Sequence, residues 1–135
     1  MGVGHRMGLA QLLWICLGGA FGTGLRVLVA GWALQTFGAA FPYGTLTVNL
    51  IGSLLMGVLM QVGLGSVVLS PTLRVALTTG VLGGFTTYSA FGYETMRLIQ
   101  QGAFGVALVN IATTVSVCLG ATFLGSMIGR LLAGT

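Results

Sequence analysis

Polar side chains are so scarce in this sequence that each one set in an apolar run is a candidate for chemistry. Three groups qualify. Thr45, Asn49 and Ser53 lie four residues apart and share one helix face. Thr86, Thr87 and Ser89 follow the pair Gly83-Gly84 and stand among Phe85, Tyr88, Phe91 and Tyr93. Asn110, Thr114 and Cys118 repeat the four-residue spacing. Together they offer N–H and O–H donors and aromatic edges with few formal charges. Donors of this kind replace a hydration shell, and ring edges carry the positive part of the aromatic quadrupole, so the set suits passage of a small anion without trapping it. Thr45 and Ser53 alone mean little, because such hydroxyls often bond carbonyls of their own helix. Asn49 differs: an amide has four hydrogen-bonding positions, cannot fill them within one helix, and needs a partner helix or a pore.

Enzyme chemistry finds no footing. The chain has one carboxylate, Glu94, and one histidine, His5 in the N-terminal tail, and no nucleophile stands beside a base. The arginines are scattered singly at 6, 26, 74, 97 and 130, so no basic patch exists to hold nucleic acid. Cys16 and Cys118 have no spacing that suggests a metal site or a disulfide framework, and Cys16 reads as packing material. Proton-coupled small multidrug exporters are of similar size but resemble one another in a first-span carboxylate, which is absent here. A scaffold subunit would explain the glycines but not the buried polar groups.

The elements that must position these residues are membrane helices. With 56% hydrophobic and 4% charged residues and a mean hydropathy of +1.05, the chain cannot cover a soluble domain of 135 residues with polar surface. A bilayer core of about 30 Å takes roughly 20 helical residues, which leaves room for four spans in one all-α domain over 1–135. The expected spans are 8–37, 44–62, 74–99 and 103–132, and the first is retained rather than cleaved as a signal peptide. Phe41-Pro42-Tyr43, the stretch 63–72 with Ser70-Pro71, and Gln100-Gln101-Gly102 separate them. Gly18 with Gly22, and Ala121 with Gly125 and Gly129, form small-residue faces for close helix packing. Arg26, inside the first span, either snorkels to the interface, faces a polar vestibule, or pairs with Glu94. Phe85 and Tyr93 read as core or lipid-facing, whereas Tyr88 and Phe91 share a face if helix resumes there. Glycine and hydroxyl side chains at 83–89 oppose a continuous third helix, and a break at membrane depth marks an ion or substrate site. One such chain is too thin to enclose a path, so dimerisation is expected.

Gly-Gly-Phe-Thr-Thr-Tyr-Ser-Ala-Phe at 83–91, Gly-Thr-Leu-Thr-Val-Asn-Leu-Ile-Gly-Ser at 44–53, and Gly-Gly-x-x-Gly-x-x-x-Arg at 18–26 resemble, in order, the signatures of the small fluoride channels of the Fluc or CrcB family. The resemblance spans the whole chain. It implies a bacterial inner-membrane protein that forms an antiparallel homodimer with two fluoride pores and a central sodium ion, relieving fluoride toxicity by passive efflux. It places Asn49, Tyr88, Ser89, Phe91, Asn110, Thr114 and Cys118 along the fluoride path, Arg26 at the vestibule, and Gly83 and Thr86 as backbone ligands of sodium. Two positions depart from the family pattern: Tyr88 stands where Phe is usual, and Asn110 where Tyr is frequent.

Four spans put Arg6, Arg74 and Arg130 on one side and Arg26 and Arg97 toward the other, a bias of three against two. Orientation follows Lys/Arg asymmetry in short loops, so insertion in both directions is expected. Accessibility of a C-terminal tag in intact cells checks this; one orientation at every expression level would refute it.

Overall fold

The computed structural model describes residues 8–65 and 69–134 as an all-helical protein. Helix α1 (Leu9–Phe37) leads to α2 (Tyr43–Gly65), and the chain closes with α6 (Phe104–Ala133). These three helices are long and apolar enough to cross a membrane. Between α2 and α6 the third span is assembled from pieces: α3 (Pro71–Val75), a π-helical segment (Ala76–Leu82), α4 (Gly83–Phe85) and, beyond Thr86-Thr87, α5 (Tyr88–Gln100). The expected interruption therefore falls at Thr86 and Thr87, whose ψ angles of 159° and 114° are extended. No residue pattern in Ala76–Leu82 marks the π-helical segment upstream.

Local chemistry sets the boundaries. Ser70 caps α3 by accepting a hydrogen bond from the Leu73 amide at 3.2 Å, with Pro71 at the first helical position, where its missing N–H is harmless. Gly38 ends α1 with φ +81° while its amide bonds Leu34, and Gly102 turns the chain into α6 with φ +77°, a conformation open to glycine without strain. Trp32, Phe37, Phe41 and Tyr43 make successive ring contacts of 5.1 to 5.9 Å around the α1–α2 connection. Such aromatic clusters anchor helix ends at the membrane interface.

Two glycine seams hold the helices together. In the first, α1 lies against the third span: a Cβ on Gly22 would collide with the Val81 carbonyl, and one on Gly84 with that of Gly19. In the second, α6 meets α2 along Ala121, Gly125 and Gly129, all buried; a Cβ on Gly125 would strike the Leu54 carbonyl, and one on Gly57 that of Thr122. In lipid there is little hydrophobic drive between helices, so backbone approach through small residues supplies the packing contacts. The helix α5 has no such seam.

Gly125→Ala must spread α2 from α6 and should destabilise the protein by about 1–3 kcal/mol, the range for overpacking. Gly120→Ala, where an added Cβ meets nothing within 4 Å, is the control and should be neutral or mildly stabilising. Thermal unfolding midpoints in detergent distinguish the two.

Candidate functional site: a polar cavity at the helix break

The break is held by Asn49. Its Nδ2 donates to the Thr87 carbonyl at 2.9 Å and its Oδ1 accepts from the Thr87 amide at 2.7 Å, so one side chain of α2 satisfies both backbone groups of the interrupted residue. The Thr87 N–H would otherwise close a helical turn on Gly83, and its diversion frees that carbonyl. Thr87 then starts α5, its Oγ1 accepting from the Ala90 amide at 3.2 Å. On the other flank the Thr86 hydroxyl donates to Leu82 at 2.9 Å, and Thr23 of α1 reaches the Gly84 carbonyl at 3.4 Å.

Beside this clamp lies a cavity of about 430 Å³ between α2, the break, α5 and α6. Asn49 and Ser53 line it from α2, Thr86 and Thr87 from the break, Tyr88 and Phe91 from α5, and Thr114, Cys118 and Thr122 from α6. Among the described residues no formal charge lines it. Asn49 has spent one N–H on Thr87 and has a second to donate. The rings of Tyr88 and Phe91 stand 5.7 Å apart at 50° to one another. Tyr88 is 84% exposed, so its phenol lies open on the outer face of the break.

Residues 13–126 match the family described as CrcB-like protein, camphor resistance (CrcB). The chain belongs to the CrcB family. Among its relatives, a protein of Sorangium cellulosum is 53% identical over 93% of this chain and 100% of its own length. One of Anaeromyxobacter dehalogenans is 48% identical, again over 93% and 100%, and one of Citrifermentans bemidjiense 47% identical over 92% and 100%. Each is named a fluoride-specific ion channel, FluC. These names are those of channels, not enzymes.

In this CrcB chain the polar residues singled out from sequence do not all share one surface. Asn49, Tyr88, Phe91, Thr114, Cys118 and Thr86 meet at the cavity. Asn110 lies behind its wall, 1% exposed, between α6 and α5. Ser89 is on the exposed side of α5, its hydroxyl 3.4 Å from that of Thr87, and Gly83 is exposed on the outer face. Arg26 is half-buried and lines neither this cavity nor a second one, of about 440 Å³, at the α1–α2 connection. Glu94 faces that second cavity with Arg97. It is bonded not to Arg26 but to Thr45, whose hydroxyl donates to Oε1 at 2.9 Å. Thr45 and Asn49 thus tie α2 to α5 at two levels, which the shared face of those two residues hints at without naming their partners. Thr95, buried between Asn110 and the Phe91 carbonyl, is a functional neighbour that the sequence does not mark, because a threonine inside a helix gives no signal of its own.

Asn49→Leu deletes both bonds to Thr87 and leaves a buried N–H and C=O unpaired, at about 1–3 kcal/mol for each such group. Its unfolding midpoint should fall clearly below that of Ser53→Ala, which removes a cavity-lining hydroxyl without touching the break.

Proposed function

We propose that this protein is a fluoride channel: two copies assemble in antiparallel orientation in the bacterial inner membrane, and fluoride leaves the cell passively through the cavities at the helix breaks. What supports this reading is a charge-free cavity, lined by amide, hydroxyl and aromatic groups and set at a helix break in the membrane, in a chain whose relatives carry the name of fluoride-specific channels. Fixed cations would hold the ion and fixed anions would exclude it, whereas neutral donors allow it both to enter and to leave. Fluoride enters acidified cells as neutral HF and ionises inside, so a passive path for the anion runs down its gradient without ATP or proton coupling.

The second copy answers the exposure of the break. Gly83 and Tyr88 leave backbone and phenol open at membrane depth, where lipid cannot hydrogen-bond them. A partner apposed there covers them. A sodium ion fits the same place: with the Thr87 amide turned to Asn49, the Gly83 carbonyl is released, and together with Thr86 it offers hard oxygen donors of the kind alkali ions take. Contributed from both copies, these oxygens would hold the ion, and the ion's charge would clamp the two breaks together.

Fluoride efflux from liposomes holding the purified protein, with chloride as competitor, tests the function. Tyr88→Phe keeps a ring edge and should conduct, whereas Phe91→Ile loses the quadrupole and should fail. Asn49→Asp loses the donor to Thr87 and places a carboxylate about 4 Å from the anion. That repels it by roughly 4 kcal/mol at an effective dielectric near 20, about a thousandfold in occupancy. Long dialysis into sodium-free buffer should lower flux. Full flux in both Phe91→Ile and Asn49→Asp, measured on variants that elute as dimers, would overturn the pore assignment.

A further inference from the structure

Behind the cavity wall runs a chain of hydrogen bonds whose direction is fixed by its last member. The Phe91 carbonyl can only accept, so the bond from the Thr95 hydroxyl at 2.7 Å uses the single proton Thr95 has. The Thr95 oxygen is then available to Asn110 only as an acceptor, which turns Asn110 Nδ2 toward it, at 2.9 Å. Asn110 Oδ1 is thereby left facing Thr114, and Thr114 must be the donor, at 3.3 Å. All three side chains are at least nine-tenths buried: Asn110 is 1% exposed, Thr95 and Thr114 each 7%. Of the three, Thr114 alone lines the cavity.

A threonine hydroxyl has one proton. While that proton points at Asn110, Thr114 shows the cavity only lone pairs, which are of no use to an anion. To bind at Thr114 an anion must draw the proton away from Asn110 Oδ1. At 3.3 Å this is the longest bond of the chain, beyond the usual O–H···O range, and hence the one that yields. The exchange carries a penalty of one modest hydrogen bond for every anion alike. A uniform penalty does not alter which anion is preferred; it shortens the stay.

We propose that Asn110 is a positioning residue that acts through Thr114: by holding the Thr114 hydroxyl proton from behind the wall, it keeps the cavity a weak anion site and so speeds release. Thr95 is its orienting partner, fixing which end of the amide faces Thr114. The inference rests on the fluoride-channel reading, and it gives the inward-turned Asn110 a role without contact to the ion.

The test is single-channel fluoride current in planar bilayers over a range of fluoride concentrations. Asn110→Leu removes the competing acceptor, so half-saturation should move to roughly two- to tenfold lower fluoride, the equivalent of one net hydrogen bond, while the maximal current falls. Thr95→Val gives the same shift by another route, because the amide is then free to turn its N–H toward Thr114 and release the proton; it also covers the case in which Asn110→Leu fails to assemble. Thr95→Ser restores the hydroxyl and should restore wild-type behaviour. Current that falls with half-saturation unchanged or raised in the assembled variants means that the network only packs helices, and overturns the proposal. Current that stays proportional to fluoride in every variant overturns it equally. Absence of fluoride current in the wild-type protein would instead be the failure of the channel reading itself.

Discussion

One constraint organises the polar half of this chain: a membrane helix that stops must have its backbone bonds completed by something other than lipid. Asn49 completes them at Thr87, supplying an acceptor for the N–H and a donor for the C=O from a single amide. A hydroxyl could also donate once and accept once, but its single proton would then be spent, whereas the amide keeps a second N–H in reserve. The second helix is placed by this need, because Asn49 must face the break. The cavity follows, since a span that is extended for two residues cannot fill the volume a continuous helix would.

Around that fixed point the helices are held by two kinds of contact. Where α1 meets the π-helical segment and where α6 meets α2, glycines let backbones touch, and the contact is broad and apolar. Helix α5 has no glycine seam and is tied instead by side-chain bonds: Thr45 to Glu94, Asn49 to Thr87, and Asn110 to Thr95. The helix that presents the aromatic pair is thus positioned by few, directional interactions. Its location is well defined along those bonds, while Tyr88 and Tyr93 on its outer side remain 84% and 70% exposed.

Much of this was legible in the sequence, for reasons that can be named. Two glycines and three hydroxyl residues in an apolar run are poor material for an uninterrupted helix, so the interruption announced itself to within a few residues, although only Thr86 and Thr87 leave the helix. Asn49 announced a need but not the partner that met it, because a helix-face argument says which way a side chain points and not what stands opposite. The row Asn110, Thr114, Cys118 looked like one surface, yet its ends face different ways. Residues four apart on an α-helix are offset by about 40°, since each advances roughly 100°, so over two steps the row winds about 80° around the axis. Asn110 consequently points at α5, Cys118 at the cavity, and Thr114 sits at the boundary with a foot in each. Glu94 shows the same limit: pairing with it is one of three roles the sequence leaves open for Arg26, and a neutral hydroxyl on α2, that of Thr45, takes the bond instead.

The π-helical segment Ala76–Leu82 carries a consequence of its own. Its hydrogen bonds reach one residue further than those of an α-helix, so it takes up one residue of extra sequence while advancing the chain little further along the axis. The third span therefore contains a splice in its phase: everything after Leu82 is rotated relative to where an unbroken α-helix from Pro71 would have carried it. That rotation is how a single strand of sequence can press Gly80 against Ile15 and Gly18 and still deliver Gly83 to the outer surface three residues later. Such a splice is a reservoir of register. The membrane half before it can be anchored by Ser70 and Pro71 to one interface, and the break after it aligned by Asn49 to the second helix, without the two alignments having to agree on a common helical clock.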